Sequence, residues 1–225
     1  MIRKIAIAVD GPGSSGKGTV ARAVADALGF QYVDTGAMYR AVALIARRRG
    51  IDWDDAPGVA AVARGLGFAF DWDGGALKVA VDGEDLTRAI LSDDVGQGAS
   101  RVSRHPEVRD ALLGLQRALG EAGGVVMDGR DIGTVVLPNA ALKVFLDASL
   151  DERARRRFDE LVARGEPAEF GVVREALSAR DRQDRDRPVA PLRAAPDAVI
   201  VDTTGLSVAA VVERLLALAR ARAAG

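Results

Sequence analysis

Short apolar runs alternate with longer amphipathic segments along most of this chain. Lys4–Asp10 (KIAIAVD) is nearly continuous in apolar residues and predicts a buried strand of a parallel sheet. Gly18–Leu28 repeats valine or leucine every four positions, which predicts a helix that ends at Gly29. The chain therefore opens with a strand followed directly by a helix.

The same alternation continues to the end of the chain. Phe30–Asp34 predicts a second strand, and a turn and a helix follow it. Gly123–Gly129, Ala141–Ser149 and Asp197–Gly205 each contain an apolar strand that ends in a polar residue, with helical patterns between and after them. Strands alternating with helices predict a three-layer α/β fold built on a parallel sheet.

One segment breaks this alternation. In Gly65–Thr87, the sequences FAFDW and LKVAV flank the turn signal DGG at Asp73–Gly75, which predicts a β-hairpin. A hairpin does not belong in a right-handed crossover between parallel strands. We therefore expect an insertion that stands off the core.

Composition and charge narrow the classes of function. The chain of 225 residues has no cysteine, so disulfides, thiolate metal sites and a cysteine nucleophile are excluded. A net charge of −1 argues against a protein that coats nucleic acid polymers. Its apolar runs are short compared with a membrane span. We expect a cytoplasmic protein with no membrane partner.

The glycine-rich stretch after the first strand has the pattern of a phosphate-binding loop. Gly11, Gly16 and Lys17 match G-x-x-x-x-G-K between a predicted strand and a predicted helix. Glycines let successive N–H groups point at phosphate oxygens, and the lysine can reach the β- and γ-phosphates. We expect ATP to bind along Gly11, Pro12, Gly13, Ser14, Ser15, Gly16, Lys17, Gly18 and Thr19.

The loop departs from the general motif at one position. Gly18 stands where a serine or threonine hydroxyl usually contacts Mg²⁺, and Thr19 follows one residue later. Asp128 ends an apolar strand, as a magnesium-associated carboxylate does in related loops. We therefore expect Mg²⁺ near Thr19 and Asp128, held through water. The sequence has no N-K-x-D pattern, which counts against a GTPase.

Two further polar segments follow predicted strands. DTGAMYR (Asp34–Arg40) and MDGRDIGT (Met127–Thr134) belong at the carboxyl edge of the sheet, where ligands of open α/β sheets bind. Arg40 and Arg130 offer planar donor pairs that suit a second phosphate. The same segments are also compatible with a capped helix carrying a surface arginine and with a solvated Arg–Asp pair.

A third segment places charges on one face of a helix. In SARDRQDRDRPVAPL, Arg180, Asp184 and Arg187 recur at helical spacing before Pro188, which ends the helix. This face suits a phosphate and sugar hydroxyls, although an exposed helix with ordinary ion pairs has the same pattern. DERARRRF upstream, with Arg153, Arg156 and Arg157 on adjoining turns, predicts either a mobile arginine-bearing lid or a solvated basic face.

Taken together, these segments resemble the bacterial cytidylate kinases, which are P-loop nucleoside monophosphate kinases. The resemblance covers essentially the whole chain and is carried in order by GPGSSGKGT, DTGAMYR, QGASRVSRHPEVRDALLGLQR, DGRDIGTVV and RDRQDRDRPVAPL. The hairpin of Gly65–Thr87 fits the β insertion that this family carries in the arm that binds the monophosphate. The resemblance implies that ATP and CMP, or dCMP, give ADP and CDP, or dCDP.

The resemblance also implies roles for individual residues. Arg40, Arg130 and Arg187 would hold the CMP phosphate, and Arg180 with Asp184 the sugar. The cytosine edge would be read by Ser100, Arg109 and Asp131, because cytosine needs an acceptor for its N4 amino group. Thr35 and Tyr39 complete the substrate set. The residues expected to act on the transferred phosphoryl group are Lys17, Arg130, Arg156, Arg157 and Arg187.

The resemblance implies a single domain, residues 1–225, that is divided into a core, an arm and a lid. The core would span about 1–35, 105–150 and 188–225, the NMP-binding arm about 36–104 and the lid about 151–187. We expect a monomer. A kinase for another small acceptor (UMP, AMP, shikimate or the coenzyme A precursor) stays open, as does a nucleotide-dependent switch. The several arginine groups at one sheet edge argue against a switch, which needs one nucleotide site.

Overall fold

The computed structural model of the protein describes residues 3–73 and 76–224. Strands and helices alternate through most of the chain, and a three-stranded insertion interrupts them. The elements are β1 (Ala6–Asp10), α1 (Lys17–Leu28), β2 (Gln31–Asp34), α2 (Thr35–Arg48), α3 (Ala56–Gly65), β3 (Phe68–Asp73), β4 (Ala76–Val81), β5 (Glu84–Asp85), α4 (Asp93–Val102), α5 (Pro106–Glu121), β6 (Val125–Gly129), β7 (Leu142–Asp147), α6 (Leu150–Ala163), α7 (Phe170–Asp186), β8 (Val199–Asp202) and α8 (Val208–Ala224).

Five strands form the central parallel sheet, in the order β2-β6-β1-β7-β8. Side chains alternate between its faces, so Ile7 and Val9 of β1 pack with α1 and α8, whereas Ala8 packs with α2, α3 and α5. This arrangement confirms the predicted three-layer α/β fold. In the register of the sheet, Asp128 lies beside Asp34, and Asp10 lies beside Gly129. The polar strand ends therefore meet at one edge.

The predicted hairpin is present, but it does not stand off the core. β3 and β4 pair antiparallel, and the short strand β5 extends this second sheet. Val79 and Val81 are buried in the same apolar core as α2, and the Trp72 indole N–H donates to the Tyr32 carbonyl at 2.9 Å. The expectation was wrong because the alternating apolar face of β4 needs a partner surface. Gly74 and Gly75 of the predicted turn lie outside the described residues.

Helices α6 and α7 pack together through a small apolar core of their own, formed by Ala154, Leu161, Val173 and Leu177. Helix α7 ends at Asp186, and Arg187 has an extended backbone (φ −62°, ψ 137°) because Pro188 follows it. Among the residues that the structure describes, none of the helices is both long and apolar enough to cross a membrane.

Candidate active site

The predicted phosphate loop connects β1 to α1 and has the backbone of an anion-binding turn. A Cβ at Gly11 would lie 2.1 Å from the Leu146 carbonyl oxygen, so only glycine fits against β7. Ser14 and Gly16 have left-handed backbone angles (φ 58° and 84°), and α1 begins at Lys17. The N–H groups of the loop and of the first helical turn are thus available to an anion.

Two clefts meet at this loop. The first, which we call the loop cleft, has a volume of about 400 Å³ and lies between the phosphate loop, α6 and the start of α8. The second, which we call the arginine cleft, has a volume of about 290 Å³ at the carboxyl edge of the sheet. Ser14, Lys17 and Gly18 line both clefts. A group bound in one cleft can therefore approach a group bound in the other beside Lys17.

All ten residues predicted to bind the substrate line the arginine cleft, although they come from distant parts of the chain. They are Thr35, Tyr39, Arg40, Ser100, Arg109, Arg130, Asp131, Arg180, Asp184 and Arg187. The alternative that the basic helix of the third segment is simply solvated does not hold for its cleft-facing positions. Asp184 and Arg187 are buried, whereas Arg182 and Arg185 on other faces are exposed.

Aspartates hold most of the cleft arginines in place. Asp131 accepts from Arg109 through one oxygen and faces Arg187 through the other, at 3.5 Å. Arg130 Nε donates to Asp184 Oδ2 at 2.9 Å. The Arg109–Asp131 pair is buried and the Arg130–Asp184 pair is largely so, which holds their geometry more firmly than that of surface ion pairs. The guanidinium groups are therefore oriented before any ligand arrives.

Arg40 forms a comparable pair with Asp34 at the end of β2, at 2.5 Å. Burial alone would raise the pKa of Asp34, but the charge of Arg40 and its hydrogen bond outweigh burial and lower that pKa. Asp34 was not among the predicted site residues. Its position at a strand end within DTGAMYR was the available signal.

Arg180 differs from the other cleft arginines. It is partly buried, and in the described part of the chain no hydrogen bond or ion pair reaches it; its Nε atom is buried and left without a partner. Burial, followed by repulsion from Arg130, lowers the pKa of Arg180 to about 10. Arg180 therefore remains a cation at neutral pH. An anionic or oxygen-rich ligand is the natural partner for such a group.

Lys17 and Asp128 lie where the two clefts meet. Lys17 Nζ donates to the Pro12 carbonyl at 3.2 Å, and burial together with the charge of Arg130 lowers the pKa of Lys17 to about 7. Burial and the nearby charge of Asp34 raise the pKa of Asp128 to about 7. A bound phosphate would raise the pKa of Lys17 again and keep it a cation.

The sheet fixes Asp128 from two sides. The Tyr32 hydroxyl donates to Asp128 Oδ1 at 2.9 Å, and the Thr35 hydroxyl donates to the Asp128 carbonyl at 2.8 Å. A Cβ at Gly18 would lie 3.3 Å from the Tyr32 hydroxyl, so a tyrosine hydroxyl lies beside the position where the general motif has serine or threonine. Sequence reasoning missed Tyr32, since it reads as an ordinary apolar strand residue.

Asp10 was missed as well. Its two oxygens accept the backbone N–H groups of Ile132 and Gly133, each at 2.8 Å, in the π-helical turn that follows Arg130 and Asp131. Asp10 is buried, and burial raises its pKa to about 6. Asp10 directly precedes the phosphate loop, so these hydrogen bonds link the loop to the segment that carries Arg130 and Asp131. A charged residue at the end of a buried strand was the signal for it.

The structure separates some of the predicted site residues. Arg156 lines the loop cleft and donates to the Ser15 carbonyl at 3.2 Å, whereas Arg157 lies outside both clefts and pairs with Asp93 and Glu160. Thr19 lines the loop cleft, and Asp128 lines the arginine cleft. Among the described residues, no three histidines or carboxylates gather as a metal cluster.

Comparisons with known proteins agree on one family. The family model described as Cytidylate kinase matches residues 7–221. The chain is similar to the cytidylate kinase of Geobacillus kaustophilus, with 48% identity over 99% of both chains. It is also similar to the cytidylate kinase of Chromobacterium violaceum, with 49% identity over 93% of both chains.

Among solved structures, an uncharacterized protein from Eubacterium ventriosum has a similar fold. The TM-score is 0.55 with 10% identity, over 97% of this chain and 99% of that one. At this identity the likeness concerns the fold alone.

Proposed function

The chain belongs to the cytidylate kinase family, and on this basis we propose how its two clefts transfer the γ-phosphoryl group of ATP to CMP or dCMP. The products are ADP and CDP or dCDP, so the enzyme is a nucleoside monophosphate kinase. The observation that carries the proposal is the meeting of the loop cleft and the arginine cleft at Lys17. One cleft fits a triphosphate, and the other is lined with cations suited to a second phosphate.

ATP is proposed to bind in the loop cleft. Its phosphates would accept from the N–H groups of Gly11–Thr19, with Lys17 reaching the γ-phosphate. The adenine would lie farther out, against the apolar side chains of Leu206, Val208 and Val211 and near the guanidinium of Arg156. This arrangement directs the γ-phosphate toward the arginine cleft.

CMP is proposed to bind in the arginine cleft. The ten residues predicted to bind the substrate divide by position, with Arg40, Arg130 and Arg187 on the phosphate, and Arg180 with Asp184 on the sugar. Ser100, Arg109 and Asp131 would read the cytosine edge, beside Thr35 and Tyr39. Both Asp131 oxygens already face arginines, yet each carboxylate oxygen has a further lone pair to accept the cytosine N4 amino group.

The reaction follows from this placement. An oxygen of the CMP phosphate attacks the γ-phosphorus, and the bond from that phosphorus to the β-phosphate oxygen breaks to release ADP. The acceptor is already an oxyanion, so it needs no general base. Lys17 and the oriented arginines stabilise the charge on the transferred group, and their aspartate partners keep them in position beforehand. Catalysis thus consists mainly of positioning and electrostatic stabilisation.

Mg²⁺ fits the carboxylates at the meeting point of the clefts. Asp34 and Asp128 lie close enough for the charge of Asp34 to raise the pKa of Asp128, and a dication would relieve that repulsion. Asp128 would hold the ion through water, with Thr19 contributing from the side of the loop cleft. When bound, Mg²⁺ would neutralise charge on the β- and γ-phosphate oxygens.

We also propose that the arm, about residues 36–104, and the lid, about 151–187, close over both nucleotides in a monomeric, cytoplasmic enzyme. Closure excludes water from the transferred phosphoryl group. Small-angle scattering would show a smaller radius of gyration with a bisubstrate analogue. An unchanged radius would count against closure.

The experiment that tests the function is a coupled ADP-release assay with Mg·ATP and a panel of acceptors. We expect strong turnover with CMP and dCMP, weak turnover with UMP and none with AMP, GMP or shikimate. Turnover confined to another acceptor would discard the proposed base-reading residues. Release of ADP without any acceptor would favour a nucleotide switch.

A further inference from the structure

One buried arginine lies outside the proposed substrate contacts and yet touches the phosphate loop. Arg153 of α6 is only 4% exposed, which is unusual for an arginine without a ligand. It lines neither the loop cleft nor the arginine cleft. A buried cation of this kind requires good partners, so its contacts indicate what it holds together.

Arg153 has three partners on three different segments. Its Nε donates to the Ala148 carbonyl at 3.0 Å, and its NH1 donates to the Gly13 carbonyl of the phosphate loop at 3.3 Å. Its NH2 lies 2.7 Å from Asp181 Oδ2 on α7. The planar guanidinium thus joins the end of β7, the phosphate loop and α7 in one rigid fork.

The partner on α7 is placed next to the acceptor machinery. Asp181 directly follows Arg180 and precedes Asp184 by one turn, and both of those residues line the arginine cleft. The loop and the helix also touch at this point, because a Cβ at Gly13 would lie 3.4 Å from Leu177 Cδ2. The position of Gly13 relative to α7 is therefore set by Arg153 and by this packing.

We propose that Arg153 is a positioning residue for phosphoryl transfer, which holds the phosphate loop at Gly13 in register with the acceptor-binding face of α7 through Asp181. Small displacements between a donor and an acceptor lower transfer rates steeply, since in-line attack requires short and aligned distances. This inference rests on the proposed binding of ATP along the loop and of CMP against α7.

Arg153→Lys is the most informative substitution. It keeps the positive charge but cannot reach the Gly13 carbonyl, the Ala148 carbonyl and Asp181 together. We expect kcat to fall about tenfold and KM for ATP to rise, because the loop is no longer held. The Kd of CMP, measured by calorimetry without ATP, should change less than about twofold, because Arg180 and Asp184 are intact.

The chain provides a matched control. Arg174 and Asp151 also join α7 to α6, at 2.5 Å, but they are exposed and have no contact with the phosphate loop. Asp151→Asn should leave kcat, KM for ATP and the Kd of CMP unchanged. Asp181→Asn, which keeps the shape of the buried partner, should act in the same direction as Arg153→Lys. The double variant should be no worse than Arg153→Lys alone, since both act through one contact.

The outcomes separate this role from a purely structural one. A selective loss on the donor side with retained CMP affinity, at a temperature well below every variant's Tm, supports positioning. Arg153→Lys kinetics equal to those of Asp151→Asn, or a parallel loss of ATP and CMP binding, would overturn it. If Arg153→Lys does not fold, Asp181→Asn decides by the same criteria. Absence of CMP-dependent ADP formation by the unmodified enzyme would instead refute the proposed function.

Discussion

The loop cleft and the arginine cleft present different kinds of binding groups to an anion. Gly11–Thr19 is a run of consecutive residues that relies on backbone N–H groups, a helix start and one lysine. The arginine cleft collects side chains from Thr35 to Arg187 and relies on Arg–Asp pairs such as Arg130–Asp184. Local chain geometry shapes the loop itself, whereas the arginine cleft exists only when the whole fold has formed.

The two clefts also differ in how repulsion among their own charged groups is limited. In the loop cleft the anion-binding groups are mostly neutral amides, so little repulsion builds up before the ligand binds. In the arginine cleft the positive groups are close together, and the aspartates offset their repulsion. Arg180 is the exception, and it is where a ligand has most to contribute.

The largest effect should come from the single charged side chain of the loop. Lys17→Ala removes the cation that stabilises the transferred phosphoryl group, so we expect kcat to fall about 10³-fold with the fold intact. Steady-state kinetics and circular dichroism measure the two quantities. Lys4→Ala, an exposed lysine before β1, serves as the control. Near-normal turnover of Lys17→Ala would remove this lysine from the mechanism.

The next prediction compares activity and stability when Arg130, which is paired with Asp184, and Arg180, which has no such partner, are each replaced. Arg180→Met and Arg130→Met should each lower kcat/KM for CMP about 100-fold, since both lose a cation of the cleft. Their stabilities should move in opposite directions. Arg180→Met removes a partly buried, unpartnered charge and should raise Tm, whereas Arg130→Met leaves Asp184 unpaired and should lower it.

Thermal unfolding without ligands measures this difference directly. If both variants lose stability equally, the aspartates do not compensate the arginines as described. The two clefts would then differ only in the groups that contact the anion, and not in how their own charges are compensated.

A smaller effect should appear in base selectivity. Asp131→Asn keeps the shape of the side chain but replaces one acceptor oxygen by a donor, so the preference for CMP over UMP should fall about tenfold. Because Asp131 also faces Arg109 and Arg187, we expect kcat/KM to fall for both substrates. The ratio of the two kcat/KM values is the measurement, and an unchanged ratio would show that Asp131 does not read the base.

The last effect concerns stability rather than turnover, at Asp10, which links the two clefts. Burial raises the pKa of Asp10 from 3.8 to about 6. A folded-state pKa above the unfolded value means that the folded protein keeps this proton longer as pH rises. The contribution of Asp10 to the free energy of unfolding therefore falls as pH rises from about 4 to about 6, by about 3 kcal/mol in total.

Asp10→Asn should lack this pH-dependent contribution. The difference in unfolding free energy between the unmodified protein and the variant should therefore change across that pH range. Denaturant unfolding at several pH values measures it, and carboxylates common to both proteins cancel. A difference that stays constant with pH would show that folding does not shift the pKa of Asp10.

The two clefts also differ in how far the sequence could predict them. The spacing of Gly11, Gly16 and Lys17 between a strand and a helix was sufficient to place the loop, since these residues are consecutive elements of one local backbone turn. The alternation of strands and helices was likewise sufficient for the fold class. Helical spacing placed Arg180 and Asp184 on one face of α7, and both line the arginine cleft; Arg187 lines the cleft as well, but from an extended position just beyond the end of the helix.

Long-range contacts were beyond the same reasoning. Tyr32 looks like an ordinary strand residue until the sheet register brings it to Asp128, and nothing local shows that Asp10 accepts from Gly133. The hairpin was expected to stand off the core, because sequence alone does not reveal that Trp72 reaches the Tyr32 carbonyl. Arg157 was grouped with Arg156 by proximity in sequence, yet it points to Asp93 instead.

In the proposed reaction a backbone-built loop holds the donor, and an arginine cleft holds the acceptor. A crystal structure with CMP and a non-hydrolysable ATP analogue tests it most directly. We predict the triphosphate along Gly11–Thr19, the CMP phosphate between Arg40, Arg130 and Arg187, and the cytosine amino group at Asp131. A CMP phosphate bound in the loop, or CMP located outside the arginine cleft, would contradict the account.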